Sequence, residues 1–197
     1  SGLNLRRAGS DMQAGQVVVE VGTCLGPRDI AACAAAGAEL VTVRRLLRVG
    51  LLVTGNEVRT AGTGRDEAQI WDVNSPMLCG LLRSPQIELV QVELVSDSRD
   101  ALMQRLSYLS GAADLIVTTG GVSVGEEDHV KPAFRELGAK LHFSGVRIKP
   151  GKPVSYGTLG TCNWLGLTGN PLSAFVTWQV FGAALLRQLN GQSTRGT

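Results

Sequence analysis

From Val49 onward the chain alternates short apolar runs of β type with helical segments, and no other feature narrows its fold so far. VGLLVTGNEV, IELVQVELV and DLIVTTGG are each rich in Val, Ile and Leu. Each is followed by a stretch of helical character, near residues 74–83, 99–109 and 129–137. Two further strands, KPVSYGTLG and CNWLGLTG, precede a last helix from about Pro171 to Leu189. Alternation on this scale predicts a three-layer α/β/α domain with a mostly parallel sheet, expected over residues 47–190. Residues 1–46 form a different zone. A β-rich run, QVVVEVGT, leads to GPRDIAACAAAGAE, where Pro27 and Gly37 bracket an Ala-rich helix, and LVTVRR returns as a strand. Residues 191–197 read as a tail.

Bulk chemistry excludes several function classes. With 197 residues, 44% of them hydrophobic, the chain can bury one sizeable core and a small second lobe. Its 19 basic and 17 acidic side chains leave a net charge of +2 and no basic run, so neither nucleic acid nor a membrane surface is expected as a partner. No apolar stretch approaches the roughly 18 to 20 residues of a membrane span, and the start lacks a signal-type apolar core, so a cytoplasmic location is expected. Cys24, Cys33, Cys79 and Cys162 contain no CxxC pair and have no His at ligand spacing, which predicts four buried, reduced thiols.

In open α/β sheets ligands sit beyond the carboxyl ends of the strands, so the strand-end loops are the places to look. VTGNE carries Gly55, Asn56 and Glu57; TTGGVSVGEED carries Thr119, Gly120 and Gly121; LTGNPLS carries Gly169, Asn170, Pro171 and Ser173, with Pro171 suited to a first helical position. Three Gly-containing loops at one edge make a surface of backbone N–H groups suited to phosphates and other anions. No GxGxxG or GxxxxGK[ST] occurs, so neither dinucleotide-fingerprint nor P-loop chemistry is indicated. Glu126, Glu127 and Asp128 follow the second loop, and hard carboxylate oxygens beside a phosphate-type site suit Mg²⁺. RIKPGKP supplies Arg147, Lys149 and Lys152 on a segment stiffened by prolines, where fixed cations suit an oxyanion. Trp71 and Trp164 read as core, His129 as a surface residue of a first helical turn and His142 as structural. Phe175, Trp178, Phe181 and Leu185 predict burial of the last helix on more than one side, part of it at a subunit interface.

TTGGVSVGEEDH, IKPGKPVSYG, GNPLSA, and VTGNEV with WDVNS resemble, in order and at similar spacing, the molybdopterin molybdenumtransferases, that is, the MoeA proteins and the E domain of gephyrin. The likeness covers essentially the whole chain, and residues 1–46 look like the end of the small linking domain that leads into the family's central domain. It implies Mg²⁺-dependent insertion of molybdate into adenylated molybdopterin, with release of AMP. Carried over position by position, Asp128, Ser123 and Asp97 match functional residues, and Asp128 with Glu127 would hold the metal. Lys149 and Lys152 match the lysines associated with molybdate or phosphate. Asn56, Asp72 and Asn74, and Gly169, Asn170, Pro171 and Ser173, match the remaining binding motifs.

Two departures stand out: Val73 replaces a hydroxyl residue, and Thr168 replaces the first proline of the GNP loop. The family's N-terminal region and C-terminal β domain are not in this sequence. The chain is therefore expected to be a fragment that binds ligand but is catalytically incomplete, from a protein that forms a homodimer and works beside the molybdopterin adenylyltransferase. The alternatives are an enzyme like that adenylyltransferase and a non-catalytic binding or scaffold module.

Overall fold

The computed structural model describes residues 8–121 and 129–192. They divide into two compact units: Arg45–Leu186, and the residues up to Arg44 together with those from Arg187 onward. In the second of these, helix α1 (Pro27–Ala35) starts at its proline and is closed by Gly37 at φ 84°. The Asp29 carboxylate accepts from Gly26 N–H at 2.8 Å, which satisfies a donor left open at the helix start. The strands expected in QVVVEVGT and LVTVRR do not form among the described residues. Val17, Val21, Leu40 and Val43 are exposed there. β-branched residues favour a strand when a partner strand and a buried face are offered, and here neither is.

The unit Arg45–Leu186 carries the expected mostly parallel sheet flanked by helices. In chain order it contains β1 (Leu47–Thr54), β2 (Val58–Arg59), β3 (Ile70–Trp71), α2 (Asn74–Leu81), β4 (Ile87–Val95) and α3 (Arg99–Ala112). Next come β5 (Leu115–Thr119), α4 (Val130–Glu136), β6 (Lys140–Ser144), β7 (Ser155–Leu159) and β8 (Cys162–Leu167). The last helix is α5 (Pro171–Thr177), which passes through a π-helical turn (Trp178–Gly182) into α6 (Ala183–Leu189). The sheet order is β4-β1-β5-β8-β7-β6, while β2 and β3 pair separately. Its first four strands are parallel. β7 and β6 run antiparallel because their connections are too short to cross over; only Gly160 and Thr161 join β7 to β8.

Side chains alternate across a strand, so Leu52 and Ile116 face one way and Leu51 and Val117 the other. The first face packs with Leu102, Leu106 and Leu109 of α3, Val130 and Phe134 of α4, and Trp164. Trp164 is fully buried, as expected; its ring stacks on Phe134 at 4.3 Å and its Nε1 donates to Thr118 Oγ1 at 3.0 Å. Trp71 departs from the same expectation. It is 39% exposed with the Arg65 guanidinium 5.5 Å from its ring centre, because β2 and β3 stand outside the main sheet. Along the last helix Trp178 is buried while Phe175 and Val180 are exposed. Phe181 and Leu185 are partly buried, so helical spacing overstated the burial of this helix.

The four cysteines form no disulfide, but only Cys162 is buried and Cys24 is exposed, because the zone holding Cys24 forms no core. Burial pushes the Cys162 thiol up to about 12, which leaves it inert at neutral pH. Among the described residues no helix is long and apolar enough to cross a membrane.

At the amino edge of the sheet, Asp114 ties three strands together. Its carboxylate accepts from Arg45 at 2.6 and 2.7 Å, and from Arg48 N and Nη2 at 2.9 and 3.2 Å; its carbonyl accepts from Asn163 N at 2.9 Å. The Arg45 hydrogen bond, then those of Arg48, hold the carboxyl well below the usual carboxylate range, against the opposing effect of burial. A depressed native pKa contributes stability that is fully present above the unfolded value of about 4 and is lost progressively as pH falls from there through the lowered native value. Arg45 is mostly solvated, so solvent screens much of its contribution to stability. Asp114→Asn is expected to cost about 2 kcal/mol at pH 7. Urea unfolding at pH 7 and pH 3 checks this, with the gap between wild type and variant narrowing at the lower pH.

Candidate ligand site at the carboxyl edge of the sheet

The loops after β1, β4, β5 and β8 open on one edge. The segment 145–154, which carries Lys149 and Lys152, reaches the same edge because β7 runs antiparallel to β8 and begins where β8 ends. Strand direction thus adds a loop that precedes a strand to those that follow one.

Asn74 joins three of these elements. Its Nδ2 donates to Thr119 Oγ1 and to Gly169 O, both at 2.8 Å, and Thr119 Oγ1 in turn donates to Thr168 O at 2.8 Å. The two carbonyls can only accept, so the direction of every proton in this clasp is settled. Asn74 itself is placed by Asp72, whose Oδ1 accepts from Asn74 N at 3.0 Å and Ser75 N at 2.9 Å at the start of α2. Thr168, which stands where a proline was expected, is held on both sides: its carbonyl accepts from Thr119, and its Oγ1 donates to Asn170 O at 3.3 Å. Val73 is half exposed beside the α2 start.

Between these anchors the backbone is bare. Gly120 and Gly121 have φ of 90° and 58°, and a Cβ built on Gly169 would lie only 3.6 Å from Gly120 Cα, so two loops meet without an intervening side chain. Asn170 caps α5, its Oδ1 accepting from Ser173 N at 3.1 Å, and Pro171 takes the first helical position. The lysine-bearing loop packs on α5 through Gly151, whose missing Cβ leaves room for the Thr177 methyl. Lys149 and Lys152 are exposed and make no ion pair among the described residues.

Asn56 and Asp97 join the β1 and β4 loops reciprocally. Asn56 N donates to Asp97 Oδ2 at 3.1 Å, and Asp97 N donates to Asn56 Oδ1 at 3.2 Å. Next to them Gly55, at φ 146°, leaves room for the Glu57 carboxylate.

Ser123, Glu127 and Asp128 lie outside the described residues. Among those described, no three His, Cys, Asp or Glu side chains gather as a metal site. Asp72 and Asp97 each give one oxygen to backbone amides.

The edge therefore offers backbone donors at a side-chain-free turn, two lysines presented on one loop, and a rigid amide–hydroxyl clasp between them. Such an arrangement can hold an oxyanion-bearing ligand. Thr54 was not singled out from the sequence, and the signal for it is spatial: its hydroxyl lies against the Gly120–Gly121 turn.

A family model described as probable molybdopterin binding domain matches residues 50–188. The chain is 36% identical over 189 residues to a molybdopterin molybdenumtransferase of Haemophilus influenzae, covering 96% of this chain and 46% of that protein. It is 30% identical to a gephyrin of Dictyostelium discoideum, covering 96% of this chain and 30% of the other. Among solved structures, a molybdopterin biosynthesis MoeA protein from Pyrococcus horikosii superposes with a TM-score of 0.79 at 27% identity, over 92% of this chain and 45% of that one. The chain thus spans somewhat under half the length of the molybdenumtransferase and MoeA relatives it matches.

Proposed function

Since the chain belongs to the family of probable molybdopterin binding domains, we propose that its carboxyl sheet edge binds adenylated molybdopterin and molybdate, and that the protein serves molybdenum cofactor biosynthesis by inserting molybdate with release of AMP. The observation that carries this is the Asn74–Thr119–Gly169 clasp, which locks the start of α2 to the two Gly-containing loops after β5 and β8, around a bare turn on the edge that also receives the lysine loop.

In this proposal Gly55, Gly120, Gly121 and Gly169 give the ligand close access to backbone, while Lys149 and Lys152 balance the charge of molybdate or phosphate. Asn56, Asp72, Asn74, Thr119, Asn170, Pro171 and Ser173 shape the pocket wall. Ser123, Asp97 and Asp128 are the catalytic candidates, with magnesium given to Asp128 and Glu127. Residues 1–46 belong to a linking domain, and a homodimer is the working form of the whole protein. For this chain alone binding without efficient turnover is expected.

Isothermal titration with AMP plus molybdate, with and without Mg²⁺, tests the proposal. The wild type should bind with Mg²⁺. Asp128→Ala should abolish the metal dependence, and Lys149→Ala with Lys152→Ala should weaken binding about tenfold, or 1.4 kcal/mol. Absence of binding by the wild type under both conditions would refute it.

A further inference from the structure

Two polar side-chain atoms at this edge are buried and have no hydrogen-bond partner among the described residues: Thr54 Oγ1 and Asn74 Oδ1. Their residues are 5% and 7% exposed. Buried polar groups are nearly always paired, so two orphans at one edge call for a physical reason.

They lie on opposite faces of the sheet. Val53 pairs with Thr119, and paired residues of parallel strands point the same way; Thr119 and its partner Asn74 therefore share the Val53 face. Thr54, the next residue, points to the other face, where Leu52 packs with α3 and α4. Its hydroxyl sits in the crook of the turn: a Cβ on Gly120 would lie 2.7 Å from it, and one on Gly121 3.2 Å. Side chains at 120 or 121 would fill that space.

The two atoms make different demands. Both Asn74 amide protons face carbonyl or hydroxyl oxygens, so Oδ1 can only accept, and it suits an N–H group and not an anion. The Thr54 hydroxyl is free to donate. Valine has the same shape, and β1 is otherwise Leu and Val at this end, so a hydroxyl here costs the fold stability that valine would not. Both atoms are closed to solvent, so a ligand reaches them only with a local displacement at this edge.

We propose that Thr54 is a further ligand-binding residue, its hydroxyl donating to a phosphoryl oxygen held at the Gly120–Gly121 turn, while Asn74 Oδ1 takes an N–H of the ligand's ring on the opposite face. The ligand class is a phosphorylated nitrogen heterocycle. The inference rests on the function proposed above and adds which face takes which end.

The test compares wild type, Thr54→Val and Thr54→Ser by thermal melting and by titration with AMP and molybdate in Mg²⁺. Thr54→Val should melt at the wild-type temperature or higher, yet bind about tenfold more weakly. Thr54→Ser, which keeps the hydroxyl, should bind within about threefold of wild type. Equal binding by wild type and Thr54→Val overturns the role of Thr54 and leaves the proposed function standing. A lower melting temperature for Thr54→Val overturns it too, since the hydroxyl would then have a structural partner. No binding by the wild type removes the proposed function, and this inference with it.

Discussion

Gly120→Ala is expected to lower stability by about 3–4 kcal/mol and to abolish ligand binding at the sheet edge. The left-handed region costs an alanine about 1–2 kcal/mol on its own. At this position, with φ 90°, the added Cβ would also strike the Thr54 carbonyl oxygen and come within 2.7 Å of Thr54 Oγ1. A carbonyl in β1 cannot turn aside, because β1 is held by a strand on each side. The turn must move instead, and it carries with it the hydrogen bond from Gly120 N to Leu167 O. Gly138→Ala separates the two causes. Gly138 has φ 84°, but nothing lies within 4 Å of its absent Cβ, so that substitution should show the conformational penalty alone. At roughly 2–4 °C per kcal/mol for a chain of this size, Gly120→Ala should melt about 6–16 °C below wild type and Gly138→Ala within about 8 °C. Equal shifts for the two would mean that the turn adapts and that the close approach to Thr54 is unimportant.

The legible parts of this molecule are those governed by local period and local turn chemistry. Alternation of two-residue and helical periods marked β1, β4 and β5 and the helices after them. The glycines after β1, β5 and β8 marked the edge proposed to bind ligand. What could not be seen is what depends on distant partners. QVVVEVGT and LVTVRR have strand composition but no strand to pair with. Trp71 reads as core until β3 is seen to pair only with β2. The strand β6, and the antiparallel direction that brings Lys149 and Lys152 to the site, follow from short connections whose strands the sequence marks weakly.

The same holds for the side chains that build the site. Asn74 and Thr119 are 45 positions apart, and Asn56 and Asp97 are 41 apart. The family resemblance named Asn74, Asn56 and Asp97, and the strand-end loops Thr119, without saying that they bind one another. It passed over Thr54, because an unpaired hydroxyl is a property of packing and not of any motif.

The largest loss of stability is expected beneath the site, from Trp164→Ala. The indole is fully buried between the sheet and α4, so its removal takes away a stacked ring and leaves a cavity that the surrounding strands and helices cannot close. Truncations of this kind cost about 3–5 kcal/mol, and here Thr118 Oγ1 also loses its buried donor. Trp164→Phe divides the effect, since it keeps a ring against Phe134 and removes the indole N–H. It should cost about 1–2 kcal/mol, in line with one stranded buried hydroxyl plus a small void. Thr118 adjoins Thr119 on β5, and their side chains point to opposite faces, one toward Trp164 and one into the Asn74 clasp. A cavity under Thr118 should therefore weaken ligand binding only through the backbone they share, by a few-fold at most, while the unfolding midpoint falls sharply. Denaturant unfolding and ligand titration on the same two variants check both halves. A loss of affinity as steep as the loss of stability would show that the core face and the clasp face of β5 move as one body.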